Sequence, residues 1–219
     1  MKIMVLDTSM EMATVGIANS DSVLSQNRIL LERGATSTVH SQIEKVFADC
    51  NLTPRDIELI GVVVGPGSFS GLRVSLSAVK GLAHPFSIPI VGIKSTLALA
   101  AMIPNCRFVA VIINARRSQF LCSIYENTST SIKEISAPVF TTMQRVLDDV
   151  PKEAILTGQG LNYIEKEMLS NYAIAPQGLW FPSVLILARL AGEIHSRGEH
   201  LDLKTAVPIY FREADALIK

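Results

Sequence analysis

Hydrophobic runs of strand length alternate with longer stretches of helical periodicity along most of this chain. Ile3 to Leu6 is a short apolar run ended by Asp7-Thr8-Ser9, and Ala13 to Ala18 is a second run. Asn19-Ser20-Asp21 then predicts a hairpin turn into a third strand, about Val23 to Leu30. After Gly34, Ser37 and Thr38 stand where a helix cap belongs, ahead of an apolar stripe at Val39, Ile43, Val46, Phe47 and Cys50. Ile60 to Val64 is β-branched apart from Gly61 and predicts a fully buried strand. It runs into Gly65-Pro66-Gly67-Ser68-Phe69-Ser70-Gly71 and then a helix from Leu72 to Ala83.

The pattern continues with a strand at Ile90 to Ile93 and a short helix from Thr96 to Met102 capped by Ser95. The order β-β-β-α-β-α-β-α predicts a mixed sheet with helices on it. A turn at Ile103-Pro104-Asn105 marks a boundary, giving a first domain of 1–103 and a second of 104–219. The second half reads as strands at Phe108 to Ile113, Phe120 to Tyr125 and Lys133 to Ile135, and a helix from Thr141 to Asp149. A strand at Ala154 to Thr157 leads into Gly158-Gln159-Gly160, expected to open a helix to Leu169; a strand at Tyr172 to Ile174 and a helix from Ser183 to Ser196 follow.

At 219 residues, 48% hydrophobic and 18% charged, the chain buries a substantial core. Twenty basic residues balance twenty acidic ones, so nothing in the totals draws it to nucleic acid or membrane. Cys50, Cys106 and Cys122 are odd in number and lack a C-x-x-C pattern, which suits reduced thiols in the cytoplasm. The apolar start is too short for a signal peptide, and no run reaches membrane-spanning length.

The glycine loop carries the chemistry. Gly65, Gly67 and Gly71 allow close backbone approach, and a loop opening a helix offers an anion site at Ser68 and its neighbours. The spacing nevertheless excludes a Walker A loop, a dinucleotide fingerprint and a nucleophile elbow. Arg73 opposes the helix dipole, so a carboxylate or phosphate is expected beside it. Asp7, Thr8 and Ser9 should fall at the same sheet edge as the loop, where Asp7 either holds a metal-bound water beneath a nucleotide, caps the hairpin or pairs with Arg73. His40, His84, His195 and His200 make no i,i+4 pair, which argues against a metal site. The Leu72 to Ala83 helix is apolar on two faces, Leu72, Leu76, Val79 and Ala83 on one and Val74, Ala78 and Leu82 on the other. Its second face meets either another element of this chain or another protein.

Met1 to Ser9, His40, the segment Gly65 to Arg73, Ile113-Asn114-Ala115-Arg116 and Pro208-Ile209-Tyr210-Phe211-Arg212 together resemble the bacterial TsaB (YeaZ-like) family of tRNA threonylcarbamoyladenosine biosynthesis proteins. Ser70 stands where that family usually has threonine, and Asn114 where it often has aspartate. The resemblance implies an actin-like and Hsp70-like ATPase (ASKHA, RNase H-like) α/β fold with two lobes, the second reduced. It implies a non-catalytic scaffold with no metal or cofactor of its own, bound to a catalytic, metal-containing threonylcarbamoyltransferase homologue and recruiting a small ATPase. ATP or ADP then belongs at the partner interface, tRNA is reached through the complex, and a homodimer forms without the partner. His40, Ile43, Phe47, Val74, Ser75 and Ala78 are the expected partner-facing residues. The alternatives are a small-molecule phosphotransferase of the same fold, using Asp7 and the glycine loop with Gly158-Gln159-Gly160 as adenosine loop, and a peptidase-like protein.

Overall fold

A computed structural model of the chain describes residues 1–31, 38–115, 119–128 and 131–210. Ser37, Gly34, Arg116, Phe211 and Arg212, singled out above, lie outside the described residues. The chain forms two compact units, one of Met1–Ser95 with the segment from Ser183 onward, the other Thr96–Pro182.

The first unit is built on a five-stranded sheet of β1 (Ile3–Asp7), β2 (Met12–Ala18), β3 (Val23–Leu30), β4 (Leu59–Gly65) and β5 (Ile90–Lys94), in the order β3-β2-β1-β4-β5. β1, β2 and β3 pair antiparallel, whereas β1, β4 and β5 run parallel. The hairpin between β2 and β3 turns on the Asn19 side-chain oxygen, which accepts the N–H groups of Asp21 and Ser22. Every residue of β1 and β4 is buried, because helices cover both faces of the sheet. Met4, Leu6, Val15, Ile60 and Val62 share a core with α1 (Val39–Asp49) and α2 (Phe69–Ala83). The opposite face carries α5 (Val184–Ser196), which starts at Ser183, whose hydroxyl accepts the Ile186 N–H. Here two glycines leave room for the helix: a Cβ at Gly16 or Gly61 would come within 3.0 Å of Val184 or Ala191 side-chain atoms.

The division differs from the one the sequence predicts. The unit boundary follows Ser95, the first residue of α3 (Ser95–Ala100), rather than the turn near Ile103, and α5, expected in the second lobe, belongs to the first unit. Its buried Val184, Leu187, Ala188 and Ala191 complete a sheet face that has no other helix of this unit to cover it among the described residues. Leu201, Leu203 and Ala206 then pack against the α1–α2 core.

The second unit repeats the same topology. Its sheet, of β6 (Phe108–Asn114), β7 (Phe120–Asn127), β8 (Ile132–Thr141), β9 (Ile155–Thr157) and β10 (Ala173–Ile174), has the order β10-β9-β6-β7-β8. As in the first sheet, a three-strand antiparallel meander is extended by two parallel strands. The helices between are reduced to α4 (Met143–Asp149) and two 3₁₀ turns, Gln159–Tyr163 and Lys166–Leu169. The helix expected from Gly158 to Leu169 is therefore two tight turns, interrupted at Ile164, where the backbone is extended. β8 is longer than the expected Lys133 to Ile135; it is an edge strand, half-buried in alternation, and it accommodates Pro138 where its register against β7 shifts.

Candidate functional site

β1 and β4 are parallel neighbours, so Asp7 at the end of β1 and the glycine loop after β4 meet at one sheet edge. The loop is seated on the turn Thr8-Ser9 by backbone contact. Ser68 N–H donates to the Ser9 carbonyl at 2.7 Å, and the Thr8 hydroxyl donates to the Gly71 carbonyl at 2.7 Å. A Cβ at Gly67 or Gly71 would lie well under 3.0 Å from the Ser9 or Thr8 carbonyl oxygen, so both positions require glycine for close approach. Gly65, at φ +123°, has the Ile209 carbonyl where a side chain would stand. Ser68 caps α2, its hydroxyl accepting the Gly71 N–H, and the Ser95 hydroxyl fixes Pro66 by donating to its carbonyl.

Asp7 and Thr8 are fully buried and Ser9 is 2% exposed. Burial raises the Asp7 pKa, partly offset by the adjoining Ser9, whose N–H donates to the carboxylate. One carboxylate oxygen accepts the Ser9 N–H at 2.8 Å; the other has no hydrogen-bond partner. A buried carboxyl in that state is favoured as the neutral acid. On the inner side of the loop the Ser68 and Gly71 N–H groups are spent on the chain itself and the Gly67 and Gly71 positions are closed by the Ser9 and Thr8 carbonyl oxygens, while Gly67, Ser68 and Ser70 face solvent. Of the three readings of Asp7, the turn cap describes its geometry.

Among the described residues Arg73 pairs with no acid, Asp7 included. It lies at the surface with its guanidinium 3.8 Å from the centroid of Phe69 and its Nε donating to the Tyr210 hydroxyl at 2.9 Å. Phe69 and Tyr210 rings are 4.8 Å apart. The aromatic faces supply the negative partner that a cation in the first helical turn needs. Nothing near Arg73 in sequence signals Tyr210, although the tail containing it was one of the family-like segments. Lys80, two turns further along α2, donates to the Ala206 carbonyl, and a cavity of about 230 Å³ lies between that helix and residues 206–210.

The six residues expected to face a partner divide. Ile43, Phe47, Ser75 and Ala78 are buried, because α1 and α2 pack on each other and on the sheet; a partner that leaves the fold intact cannot reach most of their surface. His40 is exposed and Val74 half-buried. Part of the second face of α2 is thus covered by this chain, as Val74 and Leu82 pack with Leu201, Leu203 and Ala206 on one core.

In the second unit, the glycines of Gly158-Gln159-Gly160 serve packing. Gly158, at φ +106°, and Gly160 both lie against the Ile112 backbone of β6, and Gln159 accepts the Asn114 N–H at 3.4 Å. Among the described residues no group of three or more His, Cys, Asp and Glu is arranged to hold a metal ion, and no helix is long and apolar enough to cross a membrane.

A family model described as TsaD, tRNA N6-adenosine threonylcarbamoyltransferase, matches residues 30–179. The tRNA threonylcarbamoyladenosine biosynthesis protein TsaB of Bacillus subtilis is 27% identical over 139 residues, 62% of this chain and 59% of that protein. The Escherichia coli protein of the same name is 22% identical across 97% of this chain and 95% of its own length. YeaZ from Pseudomonas aeruginosa superposes with a TM-score of 0.80 at 21% identity, covering 96% of this chain and 99% of that one. The activator of 2-hydroxyisocaproyl-CoA dehydratase from Clostridium difficile, solved with ADPNP, reaches 0.55 at 12% identity over 95% and 99% of the two chains, in keeping with the actin-like ATPase fold of two related sheets. With two thirds of its length inside the family model and a fold shared end to end with YeaZ, the chain belongs to the TsaD family and, within it, is of the TsaB (YeaZ-like) type.

Proposed function

We propose that the chain serves threonylcarbamoyladenosine biosynthesis in the cytoplasm as a non-catalytic platform. The names of its relatives supply the pathway. The observation that supports the non-catalytic role is the seated loop: Asp7, Thr8 and Ser9 are buried, and the inner sides of Gly67 and Gly71 lie against the Ser9 and Thr8 carbonyl oxygens, which keeps the carboxyl from solvent. The partner is a TsaD-type catalytic homologue, docking on the exposed edges of α1 and α2 at His40 and Val74. A small ATPase binds the pair, ATP or ADP sits at the partner interface, and tRNA is met through the assembly. Alone, the same helices pair two copies of this chain.

The test is sedimentation of the purified chain with the TsaD-type homologue of the same organism, beside Val74→Glu and His40→Glu variants shown to be folded by circular dichroism. Phe47 is unsuitable for this purpose, since a charge at a buried site unfolds the protein. The expected result is a heterodimer that Val74→Glu weakens. Undiminished association in both variants would remove the α1–α2 interface. ATP turnover by this chain alone, abolished by Asp7→Ala, would replace the platform with an enzyme.

A further inference from the structure

Helix α5 ends in a turn that holds the chain on both sides. Gly198, at φ +75°, is its left-handed residue; its N–H donates to the His195 carbonyl, and the Glu199 N–H donates to the Ile194 carbonyl. Beyond the turn, the Leu201 N–H donates to the Ile90 carbonyl of β5 at 2.8 Å. His195 and His200 are therefore brought together by backbone anchors, one on a helix and one next to a sheet edge. Nδ1 of His195 is 2.7 Å from Nε2 of His200, and the ring centroids are 4.8 Å apart with the planes tilted by 55°. Neither ring belongs to the β1 loop or to the α1–α2 surface. No sequence spacing of the i,i+4 kind announces the pair, because a turn rather than a helix face creates it.

We propose that His195 and His200 form a binding site for a divalent transition-metal ion, held by the two imidazole nitrogens with water completing its coordination. Two ring nitrogens at this distance share a single proton, one donating and the other accepting. A metal ion can take that proton's place. The neutral ring that carried the proton at the shared position takes one up on its other nitrogen through exchange with water, so both ligands remain neutral and no net proton is released.

Imidazole nitrogen suits Zn²⁺, Ni²⁺ and Cu²⁺ rather than Mg²⁺ or Ca²⁺. With metal–nitrogen distances of about 2.0–2.1 Å, a right-angled bite needs nitrogens about 2.9 Å apart, and a tetrahedral one about 3.3 Å. The observed 2.7 Å requires only a few tenths of an ångström of opening for the first, which favours the tetragonal ions Ni²⁺ and Cu²⁺ over Zn²⁺. His195 lies in the last turn of α5, where the carbonyl end of the helix attracts a cation. His200 is exposed and His195 half-buried, so an ion reaches both without local unfolding.

The test uses the full chain, stripped with a chelator and titrated calorimetrically with NiCl₂ and, separately, ZnCl₂. Wild type is compared with His200→Ala and with a His40→Ala/His84→Ala double variant. Saturable binding of Ni²⁺ at one ion per chain is expected in wild type and the double variant, weakened roughly tenfold or more in His200→Ala. Zn²⁺ should shift the imidazole ¹⁵N resonances of His195 and His200 and leave those of His40 and His84 in place. Equal affinity in His200→Ala, loss of binding in the double variant, or no saturable binding of either ion by wild type would each overturn the proposal.

Discussion

Two glycines of α2, ten residues apart, should respond to alanine with opposite signs. A methyl group at Gly71 would be driven well inside contact distance of the Thr8 carbonyl oxygen, a backbone atom tied into the end of β1. Overpacking of this kind costs about 1–3 kcal/mol. Displacing Thr8 also strains its buried hydrogen bond to the Gly71 carbonyl, adding about 1–2 kcal/mol, against which alanine returns up to about 1 kcal/mol of helix propensity. The net loss for Gly71→Ala is about 1–4 kcal/mol. At Gly81 nothing lies within 4 Å of the added carbon, so Gly81→Ala keeps only the propensity gain of about 0.5–1 kcal/mol. Urea titration followed by far-UV circular dichroism reads both. With a slope of about 2 kcal/mol per molar, Gly71→Ala should lower the midpoint by about 0.5–2 M and Gly81→Ala should raise it by a few tenths. A Gly71→Ala protein as stable as wild type would refute the claim that the loop is closed by backbone contact, and with it the main support for a non-catalytic role.

Asp7→Asn tests the neutral-acid state. Because the folded pKa is raised above 3.8, the native state holds its proton while the unfolded chain has lost it, so wild-type stability falls as pH rises from about 4 through the folded pKa. Asparagine removes that loss, and its stabilising effect in thermal melts should be largest at neutral pH and shrink towards pH 4; destabilisation at every pH would show an ionised, structurally required carboxylate. Cys122 is buried, with its thiol pushed up to about 12, while Cys50 and Cys106 are half-buried; mass spectrometry after iodoacetamide treatment of the native chain should find Cys122 unmodified. Ser183→Ala removes the cap of α5 and should cost about 0.5–2 kcal/mol in urea titrations, restored by Ser183→Asp.

The first unit was largely legible because its signals are local. Runs such as Ile3 to Leu6 and Ile60 to Val64 are apolar on both faces, Asn19 makes its own turn, and the glycines of the loop have no alternative use. What escaped the sequence depends on residues far apart. Tyr210 meets Arg73 across 137 positions, so the expectation of an acid beside that cation reflected only what the helix dipole disfavours. Likewise α5 is amphipathic enough to pack anywhere; only the gaps at Gly16 and Gly61 choose its sheet. Ile43 and Phe47 looked available because a helical stripe shows which residues share a face, not what covers it. β8 was underestimated since Pro138 and alternating polar residues mimic a loop, and the matching topology of the two sheets has no counterpart in repeated residues.

The insertion of 96–182 between β5 and α5 also has a consequence for synthesis. A chain emerging from the ribosome presents the whole first sheet before the helix that covers its second face has been translated. At about 5–20 residues per second, the intervening segment takes roughly 4–17 s to appear. Throughout that interval the glycine-lined face stays wet, and by its end the middle unit is complete enough to fold. The nascent protein therefore finishes its middle before its beginning, and that waiting face is where a chaperone would find it.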